Sequence, residues 1–157
     1  MNLINQHGSD HQKRVAEFMR GAGQAVPHCV AMPDGDTRLL RARLILEEAL
    51  ETIEALGVSV MSSADQRSVG MHNVRFAFNG SGFDMIETID GCCDLSVVLQ
   101  GTLLACGLPD TPFIEEVDAA NLRKLDGGYK DAQGKWRKPA SWVPPNIPAV
   151  LSRLSGG

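Results

Sequence analysis

Apolar residues recur at helical spacing in separate stretches of this chain, and the pattern predicts a mainly helical protein. The first stretch covers residues 10–20, where Val15, Phe18 and Met19 are expected to face the core. Glycines and prolines interrupt residues 24–36, which indicates an extended connection. The chain is therefore expected to place a short helix before a segment without regular structure.

Two long helices are predicted in the middle of the chain. Residues 38–56 contain no glycine or proline and repeat apolar residues on one face, which predicts an amphipathic helix. Residues 83–106 predict the second helix, and its later half is apolar on almost every side. A chain of 157 residues covers such a helix only partly, so we expect a second copy of the chain to cover the rest. The apolar positions of the first long helix are Leu39, Leu46, Leu50 and Ile53.

Alternating apolar and polar residues between the long helices predict a small antiparallel hairpin. One strand contains Val58 and Val60, the other covers residues 74–78, and a polar stretch over residues 62–72 joins them. A further helix is predicted over residues 110–125. Its expected inward residues are Phe113, Ile114, Val117 and Leu122, and a last short helical turn is expected over residues 149–154. The expected fold class is all-α: a bundle of four to five helices with a small β-hairpin, forming one domain over residues 1–157.

Composition narrows the possible partners. Fifteen Lys and Arg residues against 19 Asp and Glu residues give a net charge of −4, which argues against binding to a nucleic-acid backbone. The longest apolar run, residues 95–108, contains polar residues and is too short for a membrane span. We therefore expect a cytoplasmic protein without nucleic-acid or membrane partners. The four cysteines show no paired spacing for zinc and are expected to be reduced core residues: Cys29, Cys92, Cys93 and Cys106.

Both long helices carry carboxylates on one face. Glu47, Glu48 and Glu51 span about a quarter of the helix circumference. Like charges at this spacing repel, so a positive group is expected near them. For these acids alone, a solvated acidic face is the simpler interpretation. In the second long helix, Asp90 and Asp94 lie beside a mostly apolar stretch, where an aspartate has a local cost that favours a functional role.

Two acidic faces turned toward each other would offer only oxygen ligands. Such ligands suit Mg²⁺, with Mn²⁺ also possible, and a pair of ions that binds phosphate oxygens. No histidine lies at helical spacing from these acids, which argues against zinc and against a ferritin-like di-iron site. The acids therefore favour a divalent-metal site for a phosphate-containing substrate.

The motif text resembles a known family. Residues 41–51 read Arg-Ala-Arg-Leu-Ile-Leu-Glu-Glu-Ala-Leu-Glu, and residues 90–98 read Asp-Gly-Cys-Cys-Asp-Leu-Ser-Val-Val. Both resemble the MazG-like all-α nucleoside-triphosphate pyrophosphohydrolases, and the tail over residues 138–145 is similar to the phosphoribosyl-ATP pyrophosphohydrolase-like branch. The resemblance covers nearly the whole chain and implies a homodimer or a dimer of dimers.

The resemblance also implies a site and a reaction. Mg²⁺ held by the acids would bind a nucleotide substrate, which is cleaved between the α- and β-phosphates to a nucleoside monophosphate and pyrophosphate. The implied metal ligands are Glu47, Glu48, Glu51, Asp90 and Asp94. Gly91 replaces the glutamate of the commoner Glu-x-x-Asp form, and Glu87 is the alternative ligand on this helix. The implied phosphate-facing residues are Asn121, Lys124 and Lys138.

Glu47 or Glu48 is the expected general base for the attacking water. Two other classes of protein remain open at this point. One is a non-catalytic helical oligomer that binds metal or nucleotide through the same acids. The other is a structural interaction module whose acidic faces diverge.

Overall fold

The computed structural model describes residues 2–62, 70 and 73–155 of the 157. This part of the chain contains six α-helices and two small antiparallel hairpins. The helices are α1 Leu3–His7, α2 Asp10–Gly21, α3 Gly35–Ala55, α4 Met85–Ala105, α5 Thr111–Leu122 and α6 Ile147–Ser155, with a 3₁₀ turn over Arg123–Leu125. The strands are β1 Val58–Ser62, β2 Val74–Phe78, β3 Tyr129–Lys130 and β4 Trp136–Arg137. The helix-rich class and the central hairpin are confirmed, whereas six helices replace the four to five that were predicted.

Two secondary-structure elements were not predicted from the sequence: helix α1 and the β3–β4 hairpin. Helix α1 is only five residues long, and its buried residue is Ile4, so it shows no apolar period. Its start is marked by Asn2, whose side chain accepts hydrogen bonds from the N–H groups of Ile4 and Asn5. The β3–β4 hairpin lies in the Gly-rich loop, where its two-residue strands are too short for an alternating pattern.

The chain divides into two compact units, one formed by Pro33–Thr102 and the other by Met1–Met32 with Leu103–Gly157. The Pro33–Thr102 unit contains α3, the β1–β2 hairpin and most of α4. Asp34 begins α3, since its side chain accepts a hydrogen bond from Thr37 N at 2.7 Å. The hairpin pairs Val58 with Phe78 and Ser62 with Val74. Most of the polar stretch over residues 62–72 lies outside the described residues.

A buried polar network anchors α2 in the other unit. Asp110 is only 1% exposed and accepts hydrogen bonds from Ser9 N at 2.8 Å and Ser9 Oγ at 2.6 Å. The side chain of Gln12 accepts a hydrogen bond from Asp110 N and donates one to Leu108 O. Asp110 precedes α5 but does not cap it, because its carboxylate is directed to Ser9. Apolar residues buried in the same unit are Ile4, Val15, Ala16, Met19, Leu104, Ala105, Ala120 and Val150.

Asp110→Ala is expected to lower the free energy of unfolding by about 2–3 kcal/mol, because it removes charge-assisted hydrogen bonds and leaves Ser9 groups unpaired. Burial alone would raise the pKa of Asp110, but hydrogen bonds from Ser9 and Thr111 outweigh it and leave the pKa below its ordinary value. This stabilisation is therefore full above about pH 4, near the ordinary Asp pKa, and is lost as the pH falls through the lower folded-state pKa. Urea unfolding at pH 7 and pH 3 measures both effects. The exposed Asp118→Ala is the matched control, and equal stability of the two variants would contradict this role.

Several residues predicted to be buried are exposed. In α2, Phe18 is 65% exposed, although Val15 and Met19 are buried as predicted. In α5 the covered side carries Ala120, whose small side chain lets Trp142 approach and donate a hydrogen bond to Ala120 O. Three residues of α5 that were predicted to face inward are exposed: Ile114, Val117 and Leu122. On α3, Leu39, Leu46 and Leu50 are exposed as well.

The prediction that all four cysteines are core residues was wrong. Cys29, Cys92 and Cys93 are exposed, and Cys106 is half-buried. Cys92 and Cys93 lie in the earlier half of α4, where Ile86 and Ile89 are also exposed, so this surface is not covered within the described chain. No helix among the described residues combines the length and apolar content needed to span a bilayer.

Candidate acidic site on the long helices

The two long helices approach each other in opposite directions. Near the end of α3, Ala55 O accepts a hydrogen bond from Asp84 N, just before α4 begins. One turn earlier in α3, Thr52 contacts Gly91 of α4. The two helices are therefore antiparallel, and the segment around Glu48 in α3 lies toward Asp94 in α4.

Close contact between Thr52 and Gly91 depends on the missing side chain of the glycine. A Cβ built on Gly91 would lie 2.6 Å from Thr52 Oγ1 and 3.2 Å from Thr52 Cα. Thr52 is buried, and its hydroxyl donates a hydrogen bond to Glu48 O at 2.7 Å. Gly91 therefore lets the two acidic faces approach more closely than a residue with a side chain would.

Glu48 lies at the centre of the carboxylate cluster. Burial is the largest cause that raises the pKa of its carboxyl, and the charges of Asp94, Glu51, Glu47 and Asp90 raise it further. Asp94 has the largest effect of these four acids. The structure thus brings all five predicted metal ligands into one electrostatic neighbourhood.

The other four acids of this cluster are solvent-exposed, whereas Glu48 is half-buried. Within residues 2–62, 70 and 73–155, no three His, Cys, Asp or Glu side chains are grouped as a ready metal-binding set. The cluster is therefore defined by shared electrostatics and not by converged side chains. Glu87 is exposed in the first turn of α4, where its N–H bonds to Asp84 Oδ1 at 3.1 Å.

The predicted phosphate-facing residues lie in the other unit and are grouped there. Lys124 Nζ donates a hydrogen bond to Asn121 Oδ1 at 2.7 Å. The ammonium groups of Lys124 and Lys138 lie 5.3 Å and 4.4 Å from the ring centroid of Trp142. Trp142 was not among the predicted site residues, because it is the folded path of the tail that brings residues 124, 138 and 142 together.

Two cavities among the described residues lie in the unit that does not contain the acidic cluster. A cavity of about 540 Å³ lies beside α1 and the end of α6, with His7, Cys29 and Arg153 in its wall. A smaller depression of about 140 Å³ is lined by Trp142 and Arg123, next to the two lysines. Four acids of the cluster are themselves exposed, so they are accessible from solvent: Glu47, Glu51, Asp90 and Asp94.

Comparison with known proteins adds no assignment, since no protein-family model and no curated protein matches the chain. The class defined by the structure is a helix-rich protein with a carboxylate cluster on two antiparallel helices. Its reaction has to be argued from the residues.

Proposed function

We propose that this protein is a Mg²⁺-dependent nucleoside-triphosphate pyrophosphohydrolase of the MazG-like type. The proposed reaction cuts between the α- and β-phosphates and releases a nucleoside monophosphate and pyrophosphate. The observation that carries the proposal is the close contact of Thr52 with Gly91, which brings the acids of α3 and α4 together. Burial and the four neighbouring carboxylates raise the pKa of Glu48 in this arrangement. Carboxylates concentrated in this way repel one another, and perturbed groups of this kind cluster at functional sites.

The donor set fits magnesium. Glu47, Glu48, Glu51, Asp90 and Asp94 offer oxygen atoms only, the ligand type that Mg²⁺ prefers and Mn²⁺ accepts. We assign the metal-holding role to these five acids, with Glu87 as the alternative on α4. When bound, Mg²⁺ supplies charge neutralisation for the phosphate oxygens.

The chain's own carboxylates supply the proton acceptor. Glu47 or Glu48 accepts the proton of the water that attacks the α-phosphorus. The raised pKa favours Glu48 for this step, because a base works best when its pKa approaches the working pH. Asn121, Lys124 and Lys138 are assigned to the phosphate oxygens, since an amide N–H and ammonium groups are suitable donors.

The proposed assembly is a homodimer or a dimer of dimers in the cytoplasm. Large apolar residues are exposed on α3, α4 and the central hairpin, including Leu46 at 59%, Ile86 at 77% and Phe78 at 90%. Exposed apolar surface on this scale supports a partner, and a second copy offers the same surface in return. Sedimentation velocity separates the two assemblies.

The direct test is pyrophosphate release with and without Mg²⁺ across standard, deoxy and modified nucleoside triphosphates and phosphoribosyl-ATP. Release that requires Mg²⁺ would establish the reaction class and rank the substrates. A folded protein that releases no pyrophosphate from any of them would contradict the proposal.

The second candidate is a non-catalytic oligomer that binds metal or nucleotide through the same acids. The exposure of Glu47, Glu51, Asp90 and Asp94 favours it, because these side chains are not arranged as a ready metal-binding set. It predicts binding without pyrophosphate release, whereas a purely structural module predicts neither.

At a Mg²⁺ concentration about a hundredfold above the Kd at pH 8, binding is expected to stabilise the protein by about 2.7 kcal/mol at pH 8, and the same concentration should stabilise it less at pH 5. The raised folded-state pKa means that the folded protein holds a proton on Glu48 more readily than the unfolded chain. Ionisation of Glu48 therefore lowers the free energy of unfolding as the pH rises from the ordinary Glu pKa through the raised folded-state pKa, and this cost is absent below the ordinary pKa. Mg²⁺ offsets the cost where Glu48 is ionised.

Thermal unfolding with and without Mg²⁺ at the two pH values measures this effect. Glu48→Gln should lose most of the Mg²⁺-dependent shift in Tm, and Glu54→Gln, an exposed acid of the same helix, should keep it. If Mg²⁺ does not change Tm at either pH, the result would argue against both the enzyme and the non-catalytic metal-binding oligomer.

A further inference from the structure

Trp142 joins two lysines that are distant from each other in sequence. The indole ring lies 4.4 Å from Lys138 Nζ and 5.3 Å from Lys124 Nζ, measured to the ring centroid. Both distances fall within the range of cation–π contacts. The distance between the two ammonium nitrogens therefore cannot exceed the sum of these two distances. Both lysines contact the same ring.

The ring itself is held in place from the other side. Trp142 Nε1 donates a hydrogen bond to Ala120 O at 2.7 Å, next to the buried side chain of Ala120. Trp142 is half-buried, so one part of the ring is packed while another remains open to the lysines. The indole is therefore a fixed platform and not a mobile surface side chain.

Lys124 is fixed at both ends. Its carbonyl accepts a hydrogen bond from Trp136 Nε1 at 2.9 Å, and its ammonium donates to Asn121 Oδ1 at 2.7 Å. A side chain at Gly128 would collide with Lys124 O and with Trp136 Nε1, so a glycine is required for this arrangement. The lysine is consequently ordered before any ligand binds.

The ammonium groups of Lys124 and Lys138 have no ion-pair partner among the described residues, although Asp126 lines the neighbouring depression. The adjacent Arg123, in contrast, is paired with Glu116 at 3.8 Å. Two cations held on one ring repel each other, and the repulsion is relieved when an anion binds between or beside them. A polyphosphate chain carries several negative oxygens and matches two separate ammonium groups.

We propose that Trp142 is a positioning residue that holds Lys124 and Lys138 as a paired cationic site for the phosphate chain of the nucleotide. This inference rests on the proposed function for the identity of the ligand. The ring acts through the lysines and does not touch the reacting atoms. Because Lys124 is already held by hydrogen bonds and Lys138 lies against the same ring, less conformational entropy is lost when the polyphosphate binds.

Binding of inorganic tripolyphosphate to the full chain, measured by titration calorimetry without Mg²⁺, tests the inference. Trp142→Leu is expected to weaken this binding roughly tenfold, since two cation–π contacts are lost. Trp142→Phe keeps an aromatic face but lacks the indole N–H, and it should stay within about threefold of the parent. Lys135→Ala removes an exposed charge from the same unit away from the ring and is the matched control for general electrostatics.

The outcomes separate this inference from the proposed function. If tripolyphosphate binding depends on an aromatic residue 142 but no nucleotide is hydrolysed, the inference stands and the proposed enzyme does not. If nucleotides are hydrolysed, Trp142→Leu should raise KM about tenfold while kcat stays within about twofold. Three results would overturn the inference: no measurable tripolyphosphate binding by the parent protein, parent-like affinity in Trp142→Leu, or equal loss in the folded Phe and Leu variants.

Discussion

Replacement of Glu48 by alanine is expected to lower kcat for pyrophosphate release by about a hundredfold to ten-thousandfold, the range associated with loss of a general base. The variant also removes the carboxyl group whose pKa is raised by the other four carboxylates. Its fold should remain intact, because the hydrogen bond from Thr52 is made to the backbone carbonyl of Glu48 and not to its side chain. Removal of a repelling charge should leave the free energy of unfolding unchanged or slightly raised.

Two controls decide how this result is read. Glu54→Ala removes an exposed carboxylate from the same helix and should retain activity within a few-fold of the parent. Glu48→Gln preserves size and hydrogen-bonding capacity, so a loss equal to that of Glu48→Ala assigns the effect to the charge. Full activity in Glu48→Ala, measured with saturating Mg²⁺, would contradict both the metal-ligand role and the general-base role.

The long helices were the most predictable part of the fold. Predicted helices over residues 38–56 and 83–106 correspond to Gly35–Ala55 and Met85–Ala105. Long stretches without internal proline carry enough turns for a helical period to be recognised. The central hairpin was also predicted, because large apolar residues occupy every second position: Val58 and Val60 in β1, and Val74, Phe76 and Phe78 in β2.

Burial was predicted less well than secondary structure. Helical spacing identifies which residues share a face, but it does not identify which face another segment covers. On α5 the tail covers the side of Ala120, so Ile114 and Leu122 remain exposed. The apolar residues of α3 were predicted to form a buried face, whereas three of them are exposed in the described chain: Leu39, Leu46 and Leu50.

Helical spacing predicted which acids share a face, but not how the acids of the two helices lie relative to each other. Helical spacing grouped Glu47, Glu48 and Glu51 on one face, and the structure adds that Asp94 is the strongest electrostatic neighbour of Glu48 across the helix pair. Gly91 had been a departure from the commoner motif. Its contact with Thr52 lets α3 and α4 approach closely, and residue spacing alone does not predict this role.

Gly91→Val is expected to lower kcat/KM for pyrophosphate release by about a hundredfold, because displacement of catalytic groups by about 1 Å has effects of that size. Even the Cβ would lie 2.6 Å from Thr52 Oγ1 and 3.2 Å from Thr52 Cα, so α3 and α4 must separate or shift. That shift moves Asp94 away from Glu48. Overpacking at a buried contact should also lower the free energy of unfolding by about 1–3 kcal/mol.

Gly35→Val is the matched control, since a Cβ at Gly35 of α3 meets no atom within 4 Å. Its activity and its urea midpoint should stay close to those of the parent protein. The pKa of Glu48, followed by carboxyl NMR, supplies a readout that separates geometry from stability. Separation of the helices weakens the repulsion from Asp94 and should bring this pKa down toward its ordinary value in Gly91→Val. A folded Gly91→Val protein with parent activity and an unchanged Glu48 pKa would show that the close helix contact does not position the carboxylates.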